Sequence, residues 1–191
     1  MAFNNKEIEI KVKIGRKAAI LAFLESHAKY SGQYRQVDEY FVPFHRNFVL
    51  QQPVKEWLRL RSEDGRCSVN YKNFHFNELG KTTECDEFET EVKDADQMRL
   101  IFMSLDMKPI VKVDKTRRSW IYGDYAISVD EVSGLGTFVE IEYNGSEKDS
   151  KRITEEMVAF LKGMKVGKIQ RNYQGYPFLL LFPDKAKYFT E

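Results

Sequence analysis

Charged residues recur along this chain in pairs at the two-residue spacing of a β-strand, and their signs suit a phosphorylated ligand. Glu7, Glu9, Lys11 and Lys13 alternate with Ile8, Ile10, Val12 and Ile14. Successive side chains of a strand point to opposite faces, so the four charges share one face and the aliphatics the other. A single strand of this kind is an ordinary solvent-facing ladder. The pattern returns, however, at Arg59 and Arg61, at Lys72, and at Glu87, Glu89 and Glu91. It returns again at Lys115 and Arg117, at Asp130, and at Glu140 and Glu142. Guanidinium and ammonium groups cradle phosphoryl oxygens, arginine in bidentate fashion. Clustered carboxylates hold a hard divalent cation such as Mg²⁺ or Mn²⁺, which bridges to the same phosphates.

Strands must carry these residues, and something must cover the apolar faces behind them. The alternation predicts strands over 7–14, 36–43, 57–61, 67–72, 87–92, 111–122, 125–130 and 137–143. The Glu63-Asp-Gly65 turn makes a hairpin of two of them. Gly134-Leu-Gly136 is a tight connection, too short for a phosphate-binding glycine loop. Residues 44–54 read as a polar connection. Residues 73–85 read as a long loop, either a lid or plain surface. Helical stripes span about 16–28, about 94–105 with Asp94 as N-cap, and about 151–162. A short terminal helix lies between Tyr173 and Phe182, interrupted by Pro177, and Pro109 marks the exit of the second helix. By parity Arg118 points away from Lys115 and Arg117, toward the helix-covered side.

Closing such a sheet into a barrel turns the charged faces inward and leaves the aliphatic faces to the helices. Like charges ~4 Å apart repel by about 4 kcal/mol at an effective dielectric near 20, so opposite charges must interleave across the lining.

The chain of 191 residues, 42% hydrophobic and 14% aromatic, is long enough for one domain with its own core, here taken as 1–191. With 30 Lys+Arg against 29 Asp+Glu the formal net charge is +1, which argues against nucleic acid or an acidic membrane as partner. No aromatic platform interleaves with the basic run of 112–118, as single-stranded nucleic acid would require. The N-terminus has no secretory or transit-like pattern and no long apolar run follows, so a soluble cytoplasmic protein is expected. Cys67 and Cys85 lack metal-ligand spacing and read as free thiols. His27, His45 and His75 are scattered.

Glu7-x-Glu9-x-Lys11 resembles the N-terminal ExExK signature of the CYTH superfamily, also called triphosphate tunnel metalloenzymes. The resemblance continues at Asp38-x-Tyr40, Leu58-Arg-Leu-Arg61, Tyr71-Lys72 and the glutamates after residue 86. It is densest in Lys115-Thr-Arg117 and in the segment from Val129 to Glu142, and covers roughly residues 7 to 175. Gly134-Leu-Gly136-x-Phe138-x-Glu140 is most similar to the class IV adenylyl cyclase branch. Two departures stand out. Asn73 replaces a glycine that commonly follows the lysine, and Arg171-Asn-Tyr173 with Gly175-Tyr-Pro177 replaces a Ser-Tyr pair before leucines.

The resemblance implies an α+β fold, a closed antiparallel β-barrel tunnel of about eight strands with a charged interior and helices outside. It implies that Lys11, Lys13, Arg59, Arg61, Lys72, Lys115 and Arg117 bind a triphosphate. It assigns Glu7, Glu9, Asp130, Glu140 and Glu142 to Mg²⁺ or Mn²⁺, with Glu9, Lys11 and Glu140 at the chemistry. The expected reaction is conversion of ATP to cyclic AMP and pyrophosphate. A triphosphatase acting on inorganic, thiamine or nucleoside triphosphate is the alternative, and a non-catalytic polyphosphate-binding module a third. A homodimer is left open.

Overall fold

Strands form where the period-2 pattern lies, and most run further than the pattern suggests. The computed structural model describes residues 8–78, 82–146 and 149–191. Two compact units arise, residues 1–34 with 115–191, and residues 35–114.

The first unit opens with β1 (Ile8–Ile14) and α1 (Ala18–His27) and ends with α3 (Ser150–Gly163), β9 (Ile169–Arg171), α4 (Gly175–Leu181) and β10 (Phe189–Thr190). Between them run β7 (Tyr125–Val132), β8 (Gly136–Tyr143) and the later part of β6 (Met107–Tyr122). Its core is the aliphatic face foreseen in the sequence. Ile10, Val12, Val139 and Ile141 pack under Ile20 and Leu24 of α1 and under Ile153, Met157 and Leu161 of α3. Each fully buried aliphatic side chain contributes roughly 1.5–3 kcal/mol relative to exposure, which is why these two helices stay on the sheet. Asp149 caps α3 by accepting the Arg152 backbone N–H at 3.1 Å.

The second unit holds most of β2 (Lys29–Pro43), with β3 (Glu56–Glu63), β4 (Arg66–Phe76), β5 (Thr82–Val92), α2 (Ala95–Ser104) and the start of β6. Phe41, Leu60 and Phe102 form its centre, with Met98 of α2 packed beside them. Asp94 caps α2, accepting from the backbone N–H of Asp96 at 2.9 Å and of Gln97 at 3.0 Å.

Several expectations need correction. Among the described residues the sheet has ten strands, not about eight, in the order β10-β9-β1-β8-β7-β6-β2-β3-β4-β5, and no ladder among them closes it into a barrel. No ladder of the described residues joins β5 to β10 at the other end, and β9 and β10 extend the sheet beyond β1. The expected loop over 73–85 is mostly strand. β4 runs to Phe76, β5 begins at Thr82, and a register shift lies between His75 and Phe76. Its polar residues face one another across the ladder rather than mark a loop, as in the His75 Nε2 to Asp86 Oδ2 contact of 2.7 Å. Gly80 and Lys81 lie outside the described residues. Pro109 falls inside β6 near its start, where a missing N–H disturbs a ladder least. Pro177 sits in the first turn of α4 and does not interrupt it, because the N–H it lacks has no intrahelical partner there. No helix of the described residues is long and apolar enough to cross a membrane.

Candidate functional site

The β1–β8 register sets the first unit's charged face. Lys11 lies directly opposite Glu140, Glu9 opposite Glu142, and Lys13 opposite Phe138. Gly134 and Gly136 adopt positive φ (75° and 92°) and turn the chain tightly from β7 into β8. This hairpin places Glu140 opposite Ser128 and Phe138 opposite Asp130. On the other side of β7, Arg117 lies opposite Asp130. Charges of opposite sign therefore interleave. Lys11 Nζ stands 2.9 Å from Glu140 Oε2, and Arg117 Nη2 donates to the same oxygen at 3.1 Å.

Asp130 is the centre of this face. Its Oδ1 accepts Arg117 Nε at 2.7 Å. Its Oδ2 accepts Arg117 Nη2 at 2.8 Å, Lys115 Nζ at 2.9 Å and the Tyr176 hydroxyl at 2.9 Å. The Asp130 side chain is 1% exposed and that of Lys115 6%. Burial alone would raise the Asp130 pKa, but the Arg117 hydrogen bonds and the Lys115 charge outweigh it and bring it to about 2. Lys115 shares that carboxylate with Arg117. Burial, together with the neighbouring guanidinium, therefore prevails over Asp130 and lowers the Lys115 pKa to about 8. Glu140 would likewise be raised by burial, yet Lys11 and Arg117 hold it below the usual carboxylate range. Tyr176 is pushed well above 10 by burial and then by Asp130, so it stays a donor.

In the second unit Asp38 plays the same part. It lies opposite Arg61 in the β2–β3 ladder. Arg61 binds it in bidentate fashion, Nε to Oδ1 at 2.7 Å and Nη2 to Oδ2 at 2.8 Å. Arg59 Nη1 reaches Oδ2 only at 3.5 Å, and Arg59 Nε is buried without a hydrogen-bond partner. Lys72 pairs with Glu87 at 3.0 Å, and Asn70 Nδ2 donates to the same carboxylate at 2.7 Å. Tyr40, two residues from Asp38, packs edge-on to Trp57 with ring centroids 5.5 Å apart. Burial, reinforced by Asp38, raises the Tyr40 phenol to about 12.

The structure thus brings Glu9, Lys11, Lys13, Lys115, Arg117, Asp130, Glu140 and Glu142 onto one sheet face of the first unit. Arg59, Arg61 and Lys72 share one face of the second unit, opposite Asn70, Ser68 and Trp57 in turn. Glu7 lies outside the described residues. Lys13 is turned toward the Tyr188 ring, 5.8 Å from its centroid. Arg118 points to the helix side as its parity requires, and its Nη2 donates to Glu25 of α1 at 2.6 Å. The sequence pattern assigns no role to two residues that prove central. Asp38 could have been found, because a lone carboxylate of the right parity must sit near Arg59 or Arg61. Tyr176 carries no local signal, since its hydrogen-bond partner Asp130 lies 46 residues earlier in the chain.

The carboxylates that could hold a metal are Glu9, Glu140 and Glu142. Glu9 and Glu142 lie directly opposite on the β1–β8 ladder, with Glu140 two residues from Glu142 on the same face. These are hard oxygen donors on adjacent strands, so the donor set fits Mg²⁺ or Mn²⁺. Among the described residues no three such groups stand close enough to share an ion as they are placed, and Glu140 is turned onto Lys11 and Arg117. Asp130 fits poorly as a ligand, because both its oxygens are occupied by cationic donors.

Comparison with known proteins identifies the family of this fold. The CYTH domain model matches residues 5–174. A Methanocaldococcus jannaschii protein, provisionally named an adenylate cyclase, is 35% identical over 172 residues, covering 87% of this chain and 95% of that protein. A Pyrococcus horikoshii OT3 protein of known structure is 26% identical with a TM-score of 0.66, covering 93% of this chain and 99% of its own. A provisionally named adenylyl cyclase from Hippeastrum, described as having a dominant triphosphatase activity, is 19% identical with a TM-score of 0.65. It covers 94% of this chain and 96% of its own and shares the fold. With the family model spanning most of its length, this chain belongs to the CYTH domain family.

Proposed function

We propose that this chain performs divalent-metal-dependent chemistry on a triphosphate, and that the reaction is conversion of ATP to cyclic AMP and pyrophosphate. The observation that carries the reading is the first unit's face, where Lys11, Lys115 and Arg117 lie beside carboxylates on adjacent strands. These cations are already paired, and a phosphoryl oxygen offers them the same hydrogen-bond geometry that Glu140 now supplies. Arg59, Arg61 and Lys72 give the second unit an equivalent set, with unmet donor capacity on Arg59. The 35% identical relative carries a cyclase name, which favours that reaction.

Glu9, Glu140 and Glu142 would hold the metal, with Glu7 beside them in sequence. Bound there, Mg²⁺ or Mn²⁺ would supply charge neutralisation at the phosphates and Lewis-acid assistance to deprotonation of the attacking hydroxyl. Lys11, opposite Glu140, neutralises charge that develops on the phosphoryl oxygens. The ribose 3′-oxygen attacks the α-phosphorus, the bond to the β-phosphate bridging oxygen breaks, and the hydroxyl proton passes to solvent. Lys115 and Arg117 hold the departing pyrophosphate in line, a positioning role.

A triphosphatase is the second reading, favoured by the activity described for the Hippeastrum neighbour. It asks only that water meet the terminal phosphorus. Product analysis separates the two. With ATP and Mn²⁺ or Mg²⁺, cyclic AMP and stoichiometric pyrophosphate are expected. ADP and orthophosphate, with faster turnover of tripolyphosphate, would transfer the assignment to the hydrolase. Binding without turnover of either would leave a polyphosphate-binding module.

A further inference from the structure

One side chain from the C-terminal segment meets three charged groups of the first unit at once. The Tyr176 ring lies 5.2 Å from Lys11 Nζ and 5.4 Å from Lys115 Nζ, each measured to the ring centroid. Its hydroxyl donates to Asp130 Oδ2, the oxygen that also accepts Lys115 and Arg117. The ring packs edge-on against Phe138 at 4.9 Å, and the residue is 8% exposed.

Lysine is a point charge on a flexible four-carbon stem, and holding two of them still carries a large entropy cost. An aromatic face attracts an ammonium by about 0.5–2 kcal/mol, more as water is excluded. Tyr176 therefore restrains Lys11 of β1 and Lys115 of β6 with one ring, and fixes the carboxylate that orients Lys115 with its hydroxyl. We propose that Tyr176 is a positioning residue for phosphate binding, holding the Lys11 and Lys115 ammonium groups in place before the anion arrives. Ordering these side chains in advance removes part of the cost of binding.

The segment that delivers Tyr176 is itself tied down. Asn172, 5% exposed, donates from Nδ2 to the Lys187 carbonyl at 2.9 Å and accepts the Gln174 N–H at 2.8 Å. Gln174 Oε1 accepts the Lys187 N–H at 2.8 Å. These bonds close the chain around α4 and fix where the helix starts.

This proposal rests on the polyphosphate reading above, and calorimetric titration with tripolyphosphate tests it. Tyr176→Phe keeps the ring and loses the hydroxyl, so affinity should fall about fivefold to tenfold. Tyr176→Leu loses both and should fall by about thirtyfold or more, of which Phe recovers part. The deciding measurement adds Lys115→Met. If Tyr176 acts through Lys115, Tyr176→Phe should cost little further affinity in that background. Independent, multiplying losses would overturn the proposal, as would wild-type affinity in Tyr176→Phe. Should the Leu variant fail to fold, Asn172→Ala serves in its place, loosening the segment from outside the cluster with the same dependence on Lys115. A wild-type protein that binds no tripolyphosphate would overturn the polyphosphate reading itself, an outcome distinct from binding with additive losses.

Discussion

Asp130 and Asp38 sit at the centres of two clusters built on one plan. Each faces an arginine directly across an antiparallel ladder, Arg117 or Arg61. Each binds it in bidentate fashion with the same two distances, 2.7 and 2.8 Å. Each has a second cation two residues earlier on the arginine's strand, Lys115 or Arg59. The clusters differ in what completes them. Lys115 and Tyr176 both come within 2.9 Å of Asp130, whereas Arg59 stands at 3.5 Å from Asp38 and keeps a buried Nε without a partner. The first carboxylate is saturated and orders the cations around it. The second leaves donor capacity over, and a buried donor without a partner is what an anion relieves. Similar strand chemistry thus yields a pre-ordered cation set in one unit and a hungrier one in the other.

The largest expected effect comes from removing the saturated carboxylate. Asp130→Ala leaves Lys115 buried without its carboxylate and Arg117 with Glu140 alone, and should destabilise the protein by about 3–5 kcal/mol, read from urea unfolding. Asp38→Ala should cost less, roughly 1–3 kcal/mol, because neither of its arginines, at 17% and 20% exposed, is as buried as Lys115 at 6%. Equal losses would break the distinction. Acid sharpens it further. The folded Asp130 pKa of about 2 lies below the ordinary value, so its contribution is present at neutral pH and is lost as pH falls through that window toward 2.

Next in size is the effect of the unmet donors on ligand. Arg59→Ala should weaken tripolyphosphate binding by about tenfold to a hundredfold, the range of a charge-assisted hydrogen bond of roughly 1.5–3 kcal/mol. Its effect on unfolding should be small by comparison. Unchanged affinity would mean that the spare Arg59 donors are not offered to the anion.

The pH dependence of binding is the subtler comparison. Lys115 has a pKa of about 8, so tripolyphosphate affinity should decline as pH rises through about 8. Bound phosphate raises that pKa, and binding near pH 8–9 should take up protons, measurable in buffers of different ionisation enthalpy. For stability the sign reverses. Between about 8 and the ordinary lysine value the unfolded chain holds the proton and the folded chain does not, so the Lys115 contribution to stability rises with pH. If the alkaline decline persists in Lys115→Met, some other group is responsible.

The smallest effect belongs to Arg118, one residue from Arg117 and on the opposite face. Its partner Glu25 is 53% exposed, and such pairs contribute ~0.2–1 kcal/mol. Arg118→Ala should leave tripolyphosphate affinity unchanged. A tenfold loss would mean that strand parity does not sort the basic run of β6.

Much of this was legible before any coordinates. Alternation placed Lys115 and Arg117 on one face and Arg118 on the other, and the need for opposite charges to interleave called for ion pairs across the lining without naming which, Lys11 with Glu140 being one that formed. Apolar stripes marked the three longer helices, and Asp94 was readable as a cap because an aspartate before a periodic run accepts backbone N–H groups. Other features were not. The stretch 73–85 resembled a loop because strands exposed on both faces lose their alternation. The family resemblance assigned Asp130 to a metal, and no sequence pattern shows how many cations its oxygens accept in the fold.

What the sequence determines by itself is local and periodic. The two-residue repeat decides which side chains share a face, and the helical repeat decides which face is covered. Three matters belonged to tertiary structure. Which donor satisfies which carboxylate oxygen depends on contacts such as Tyr176 to Asp130, across 46 residues. Which strands lie at the edges depends on β9 and β10 adding to β1, a pairing of the C-terminal segment with the N-terminal strand. The ionisation of Lys115 depends on burial produced by segments distant in the chain. Periodicity reports direction from the backbone, whereas saturation, closure and desolvation depend on which remote groups arrive.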